Sequence, residues 1–134
     1  MKNILYRGKR KGNESNEWVD GFYVCLNQKA HRIYTGYAET DCGDYYPELF
    51  EVIPETIGQY TGLIDKNGVK IFEGDIVRYN GEKHIVVFET RGETGYFGIK
   101  IDHIETWGFC LYVPAKLMEV IGNIYDNSEL LKGE

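Results

Sequence analysis

The chain has 134 residues, 43% of them hydrophobic and 27% charged, with a net charge of −6. This is the size and balance of one ordinary globular domain, and wholesale disorder is excluded. Three cysteines (Cys25, Cys42, Cys110) form an odd set at unrelated spacings, which speaks against a disulfide framework and for a reducing cytoplasm. The longest apolar run, residues 109–113, is far short of the roughly 20 residues that span a bilayer. No apolar stretch near the start is long enough for a secretory signal, so no membrane partner is expected.

The charge is unevenly spread. Five bases (Lys2, Arg7, Lys9, Arg10, Lys11) and no acid lie in the first eleven positions, leaving −11 on the other 123 residues. Residues 39–55 carry Glu39, Asp41, Asp44, Glu48, Glu51 and Glu55 without a base. Such a body repels a phosphate backbone. Arg7, Lys9, Arg10 and Lys11 remain as a short arm that can touch one.

Tyrosine is abundant, at eleven residues, and glycine, at sixteen, is scattered where turns are expected. Period-two apolar patterns outnumber helical ones, so the chain leans to β structure. In chain order, residues 4–7 read as a first strand and 8–16 as a polar loop. Residues 18–19 and 22–26 flank Asp20-Gly21, which fits either a hairpin or one kinked strand. Residues 27–30 turn into a strand over 31–37. The acidic stretch 38–48, with Gly43 and Pro47, reads as a loop, and 49–53 as a short strand stopped by Pro54.

The most regular pattern follows. Residues 59–64 and 69–72 read as a hairpin around Asp65-Lys66-Asn67-Gly68, with Asn67-Gly68 as a type I′ turn. After the turn Glu73-Gly74-Asp75, strands over 75–79 and 83–89 are joined at Asn80-Gly81. Further strands are expected over 96–101, 109–113 and 119–125. Asp126 and Glu129, spaced as a capping box, suggest one closing helical turn. Short strands at this spacing imply a small barrel or sandwich. The chain reads as one unit, with an N-terminal β extension over 1–48 and a small barrel over 49–134.

The residues offer little catalytic chemistry. No Cys or His pair has metal-ligand spacing, and no cofactor or metal is expected. The Asp65 loop begins like a calcium loop, but its glycine comes fourth and Ile76 stands where the bidentate Glu belongs. No phosphate-binding glycine motif occurs; Gly92, Gly95 and Gly98 read as a turn. The serines Ser15 and Ser128 sit in polar turns, while Cys25 and Cys110 alternate with apolar residues as core thiols do. Glu73 and Asp75 could serve general acid–base or magnesium chemistry, but such a pair more often fixes a turn through Asx-type hydrogen bonds. Tyr34, Tyr37, Tyr45, Tyr46, Tyr60, Tyr96, Trp107 and Tyr112 exceed what a core needs, so some of them offer a binding surface.

Residues 53–77, from Ile53-Pro54-Glu55-Thr56-Ile57-Gly58-Gln59-Tyr60-Thr61-Gly62 through Asp65-Lys66-Asn67-Gly68 to Phe72-Glu73-Gly74-Asp75-Ile76-Val77, closely resemble the signature of the YopX family of phage and prophage proteins. Glu119-Val120-Ile121-Gly122-Asn123-Ile124-Tyr125 near the end and Ile4-Leu5-Tyr6-Arg7-Gly8 near the start agree with it. Residues 82–118 carry little of the signature. The resemblance implies an SH3-like small barrel with additional N-terminal β structure, encoded by a phage or prophage and acting in the cytoplasm of a bacterial host. It implies no catalytic residue.

The expectation is therefore a non-enzymatic interaction module for a host or phage protein, with self-association as a further option. Tyr60, Asp65, Lys66, Asp75 and Tyr79 are the candidate recognition patch, because polar and aromatic residues crowd that hairpin. The alternative is a nucleic-acid-binding barrel that uses the basic arm and surface aromatics.

Overall fold

In the computed structural model the described residues are 5–12, 17–91, 94–100, 106–108 and 115–131. The protein is mainly β, with every strand pairing antiparallel. It divides into two compact units between Gln59 and Tyr60. The expected strand over 109–113 lies outside the described residues.

The first unit holds β1 (Tyr6–Lys9), β2 (Trp18–Leu26), β3 (Ala30–Glu39) and β4 (Tyr45–Glu51), side by side in the order β4-β3-β2-β1. The start of β5 (Gly58–Ile64) pairs with the free side of β1, Tyr6 opposite Gln59 and Arg7 opposite Gly58. The end of β4 also reaches β1: Arg10 bridges Val52, Lys11 N–H donates to Glu51 O, and Ile53 N–H donates to Lys9 O. The sheet therefore curls on itself. Ile33 and Val52, both fully buried, fill its inner side.

Residues 18–26 form one continuous strand, the kinked-strand alternative. Gly21 stands where β2 changes partner, from β1 up to Gly21 to β3 from Phe22 onward. The β2–β3 connection places Asn27 and Gln28 at φ 54° and 58°, a left-handed pair without glycine.

The acidic stretch 38–48 is not all loop, as was expected: β3 runs on to Glu39 and β4 begins at Tyr45. Only residues 40–44 turn, held by Thr40 N–H to Asp44 O at 2.8 Å and Asp44 N–H to the Thr40 hydroxyl at 3.1 Å. Pro47 fits within a strand because β4 is at the sheet's edge, where a missing N–H costs no ladder bond. Position 48/49, the expected boundary, lies inside β4. The expected loop from residue 8 is likewise shorter, since Gly8 and Lys9 belong to β1.

In the second unit, β5 from Tyr60 pairs with β6 (Lys70–Phe72). A five-stranded sheet follows in the order β10-β9-β8-β7-β11, from β7 (Asp75–Tyr79), β8 (Glu82–Arg91), β9 (Thr94–Lys100), β10 (Thr106–Gly108) and β11 (Glu119–Asn123). Ile71, Val77, Val86, Ile99, Ala115 and Met118 pack as its core, with Tyr79 and Val120 against them. Asn80 and Gly81, at φ 53° and 78°, make the expected left-handed turn between β7 and β8. The β5–β6 turn differs from type I′. Gly68 N–H bonds Asp65 O and Asp65 N–H bonds Val69 O, so Lys66 and Asn67 are the central residues and Gly68, at φ 80°, follows them. A short 3₁₀ turn, Ser128–Leu131, lies where the closing helical turn is expected.

Candidate functional site

The expected recognition patch resolves into separate jobs. Asp65 is 3% exposed, and its carboxylate accepts three backbone amides: Asn67 and Val69 at 2.8 Å each, and Val120 at 2.9 Å. Burial pushes its pKa up, but the amides of Val120, Val69 and Asn67, helped by the Lys66 charge, more than offset that and leave it lowered. Asp75 is 1% exposed and accepts the Phe72 N–H at 2.7 Å, closing the β6–β7 turn. These two carboxylates are buried and hold turns of the fold. The Glu73–Asp75 pair likewise presents no two-carboxylate surface, since Asp75 is inside.

The other three members are dispersed. Lys66 is exposed, with Nζ 3.5 Å from Glu119, which also lies 3.7 Å from Arg78. Tyr60 lies beside Phe72, ring centroids 5.3 Å apart, with Lys70 Nζ 5.8 Å from its ring. Tyr79 packs on the core and sits 6.4 Å from the His84 ring.

The basic arm is built into the first sheet. Arg7, in β1, sets its guanidinium 4.8 Å from the Trp18 ring. Arg10 lies 4.4 Å from the Phe50 ring and 3.0 Å from the Glu17 carboxylate. Lys11 Nζ is 3.6 Å from Glu51. Lys9 donates its N–H to the Thr56 hydroxyl at 2.9 Å. Three of the four side chains are thus committed to aromatic or acidic neighbours within the unit.

A different surface emerges from strand register. Tyr23, Ile33 and Phe50 stand opposite one another across β2, β3 and β4 on the inner side. Phe22, Tyr34 and Leu49 stand opposite one another in the next row and so share the outer side. A bulge between Tyr34 and Gly36 absorbs one residue, which returns Tyr37 to this side opposite Pro47, with Glu39 opposite Tyr45 in the row beyond. The Phe22 and Tyr34 rings are 6.3 Å apart, and Tyr34 and Tyr37 meet edge to face at 5.9 Å. Burial, with the neighbouring Tyr37 hydroxyl, pushes the Tyr34 phenol pKa up.

This row is open to solvent. Phe22 is 43% exposed, Leu49 39%, and Tyr37 and Tyr45 71% each. The exposed loop 40–44 at its end carries Asp41 and Asp44. Tyr34, Tyr37 and Tyr45 were legible as surplus aromatics. Phe22 and Leu49 were not, because reading 38–48 as a loop hid the register that aligns them.

Cys25, expected in the core, is exposed, as is Cys42. It stands next to the β2–β3 turn beside Leu26, where alternation no longer implies burial. Among the described residues no group of three or more His, Cys, Asp or Glu is placed to hold a metal ion. No helix among them is long and apolar enough to cross a membrane.

Comparison with known proteins gives the family and the fold. The profile described as YopX protein matches residues 5–132. A search of curated proteins finds no significant match. Among solved structures, protein EF1440 from Enterococcus faecalis matches with a TM-score of 0.58 and 21% identity, covering 97% of this chain and 99% of that one. At that identity the likeness concerns the fold.

Proposed function

The chain belongs to the YopX family, and we propose that it is a non-enzymatic, phage-encoded module that docks a host or phage protein on the outer face of β2, β3 and β4. The observation behind this reading is the aligned row of Phe22, Tyr34 and Leu49, continued by Tyr37 and Tyr45 at 71% exposure. A contiguous apolar surface rimmed by polar groups is unusual on a protein that works alone, and tyrosines are favoured anchors at protein interfaces. The acidic surroundings and the internally paired basic arm disfavour phosphate backbones. The SH3-type small barrel belongs to the same proposal, for the second unit.

The test compares the wild-type chain with Tyr37→Ala/Tyr45→Ala as bait in nuclease-treated lysate of the bacterial host. A discrete protein kept by the wild type and lost by the variant is expected. Equal capture by both, or capture that disappears with nuclease, would overturn the reading.

A further inference from the structure

We infer that the occupant of this face is an extended cationic segment of a partner protein, with arginines seated on the Tyr37 and Tyr45 rings; the inference rests on reading the face as a docking surface. The charge around the rings selects the occupant. No Lys or Arg occurs between Arg32 and Lys66. Glu39 stands directly opposite Tyr45, and exposed Asp41 and Asp44 occupy the loop that joins their strands. Exposed phenol rings beside uncompensated carboxylates suit a guanidinium, which stacks on an aromatic face while its N–H groups fork toward carboxylate oxygens.

Two other occupants fit less well. A second copy docked with its 40–44 loop on the same loop would set Glu39, Asp41 and Asp44 against the same residues, and like charges brought together disfavour that arrangement. Strand addition at the β4 edge meets Pro47, which has no N–H to offer, midway along the strand. The face, rather than the edge, is therefore where a cationic segment lies.

The probe is a labelled decapeptide of alternating arginine and glycine, titrated into the intact chain at low salt. Versions with lysine or neutral citrulline in place of arginine serve as controls. Tyr37→Ala/Tyr45→Ala keeps every carboxylate, and Glu39→Gln/Asp44→Asn keeps both rings. Binding of the arginine peptide is expected to weaken about tenfold in the tyrosine variant and several-fold in the carboxylate variant. It should fall with added salt, be weaker with lysine and vanish with citrulline. Circular dichroism confirms that each variant is folded, and the single tyrosine variants make the same comparison if the pair unfolds.

Equal affinity of wild type and tyrosine variant, or equal affinity for arginine and lysine peptides, would mean diffuse charge attraction and overturn the inference. So would no binding at low salt. If the chain ignores the arginine peptide yet captures a protein through Tyr37 and Tyr45, the docking face stands and its cationic occupant falls. Self-association that the tyrosine variant abolishes would make the occupant a second copy and overturn it as well. Protein capture unaffected by the tyrosine variant would instead remove the docking face itself.

Discussion

The Asp65 carboxylate accepts the backbone N–H of Val120 at 2.9 Å, joining positions 55 residues apart in the chain. Its other oxygen holds the Asn67 and Val69 amides, so one side chain shapes the β5–β6 turn and docks it on β11. Lys66 N–H adds a bond to Met118 O, at 3.0 Å, beside it. Hydrogen bonds to a charged group contribute about 1.5–3 kcal/mol, and buried amides left without an acceptor cost a comparable amount. Asp65→Ala is therefore expected to lower stability by about 3 kcal/mol, measured by urea unfolding near neutral pH. Asp65→Asn, which keeps one good acceptor, should cost less. A change under about 0.5 kcal/mol in Asp65→Ala would refute the assignment.

His84 gives a pH dependence. It stands opposite Val77 in the β7–β8 pair and is 2% exposed, with neither ring nitrogen in a well-formed hydrogen bond among the described residues. Burial lowers its pKa, opposed only in part by the Tyr79 backbone and by Glu82, whose carboxylate lies 4.0 Å from Nε2. In the unfolded chain a histidine takes up a proton below about pH 6.5. The folded chain resists that proton until a lower pH. Between the two values the unfolded state binds more protons, so stability falls as pH drops below about 6.5 and gains nothing from His84 above it. Urea midpoints measured from about pH 8 down to about 5 should show this decline. His84→Leu should flatten it; an unchanged slope would exclude His84 as its source. Asp65, whose pKa is also lowered, contributes its loss only below about pH 4, where an unfolded aspartate protonates.

Much of the β structure was legible because turn chemistry and alternation agreed. Asn80-Gly81 supplied the left-handed pair that joins β7 to β8, and Pro54 closed the strand before it. Asn67-Gly68 misled in detail. Asp65 could accept amides on both sides of the turn, which favoured Lys66-Asn67 as its centre, and only long-range packing against β11 makes that arrangement worthwhile. The same packing makes Asp65, a candidate recognition residue, a buried acceptor, which local sequence does not disclose; Asp75 instead closes its own turn on the Phe72 N–H, three residues back. The outer face stayed hidden for another reason. Glu39 at the end of β3, and Pro47 and Glu48 in the edge strand β4, are poor strand formers alone, yet the β3–β4 pairing suffices to hold them.

Asp20-Gly21 fits a hairpin turn or a kinked strand in sequence; the strand runs through it, and Gly21 serves a close approach. A Cβ added there would overlap the Tyr34 carbonyl oxygen and crowd the Ile33 side chain, where β2 passes from β1 to β3. The carbonyl is backbone and cannot swing aside. Gly21→Ala is expected to cost at least about 2 kcal/mol in urea unfolding. Tyr37→Ala, at an exposed position, should change stability by less than about 0.5 kcal/mol. Equal, small effects in both variants would show that β2 and β3 have room to part at Gly21.

The last prediction separates protein docking from nucleic-acid binding. Arg10 contacts Glu17 at 3.0 Å and the Phe50 ring at 4.4 Å, while Lys11 faces Glu51 at 3.6 Å. Deleting residues 1–11 would remove β1 and with it the pairing to β2, so loss of binding in that deletion would report unfolding. Arg10→Gln/Lys11→Gln keeps the strand. Each partly exposed contact contributes about 0.5–1 kcal/mol, so a modest fall in stability is expected. Fluorescence anisotropy with single-stranded and duplex oligonucleotides at physiological salt should show no binding tighter than about 1 μM, the upper end of ordinary non-specific affinity. Tighter binding that weakens steeply with salt, and that Arg10→Gln/Lys11→Gln abolishes, would reinstate the basic arm as a nucleic-acid contact.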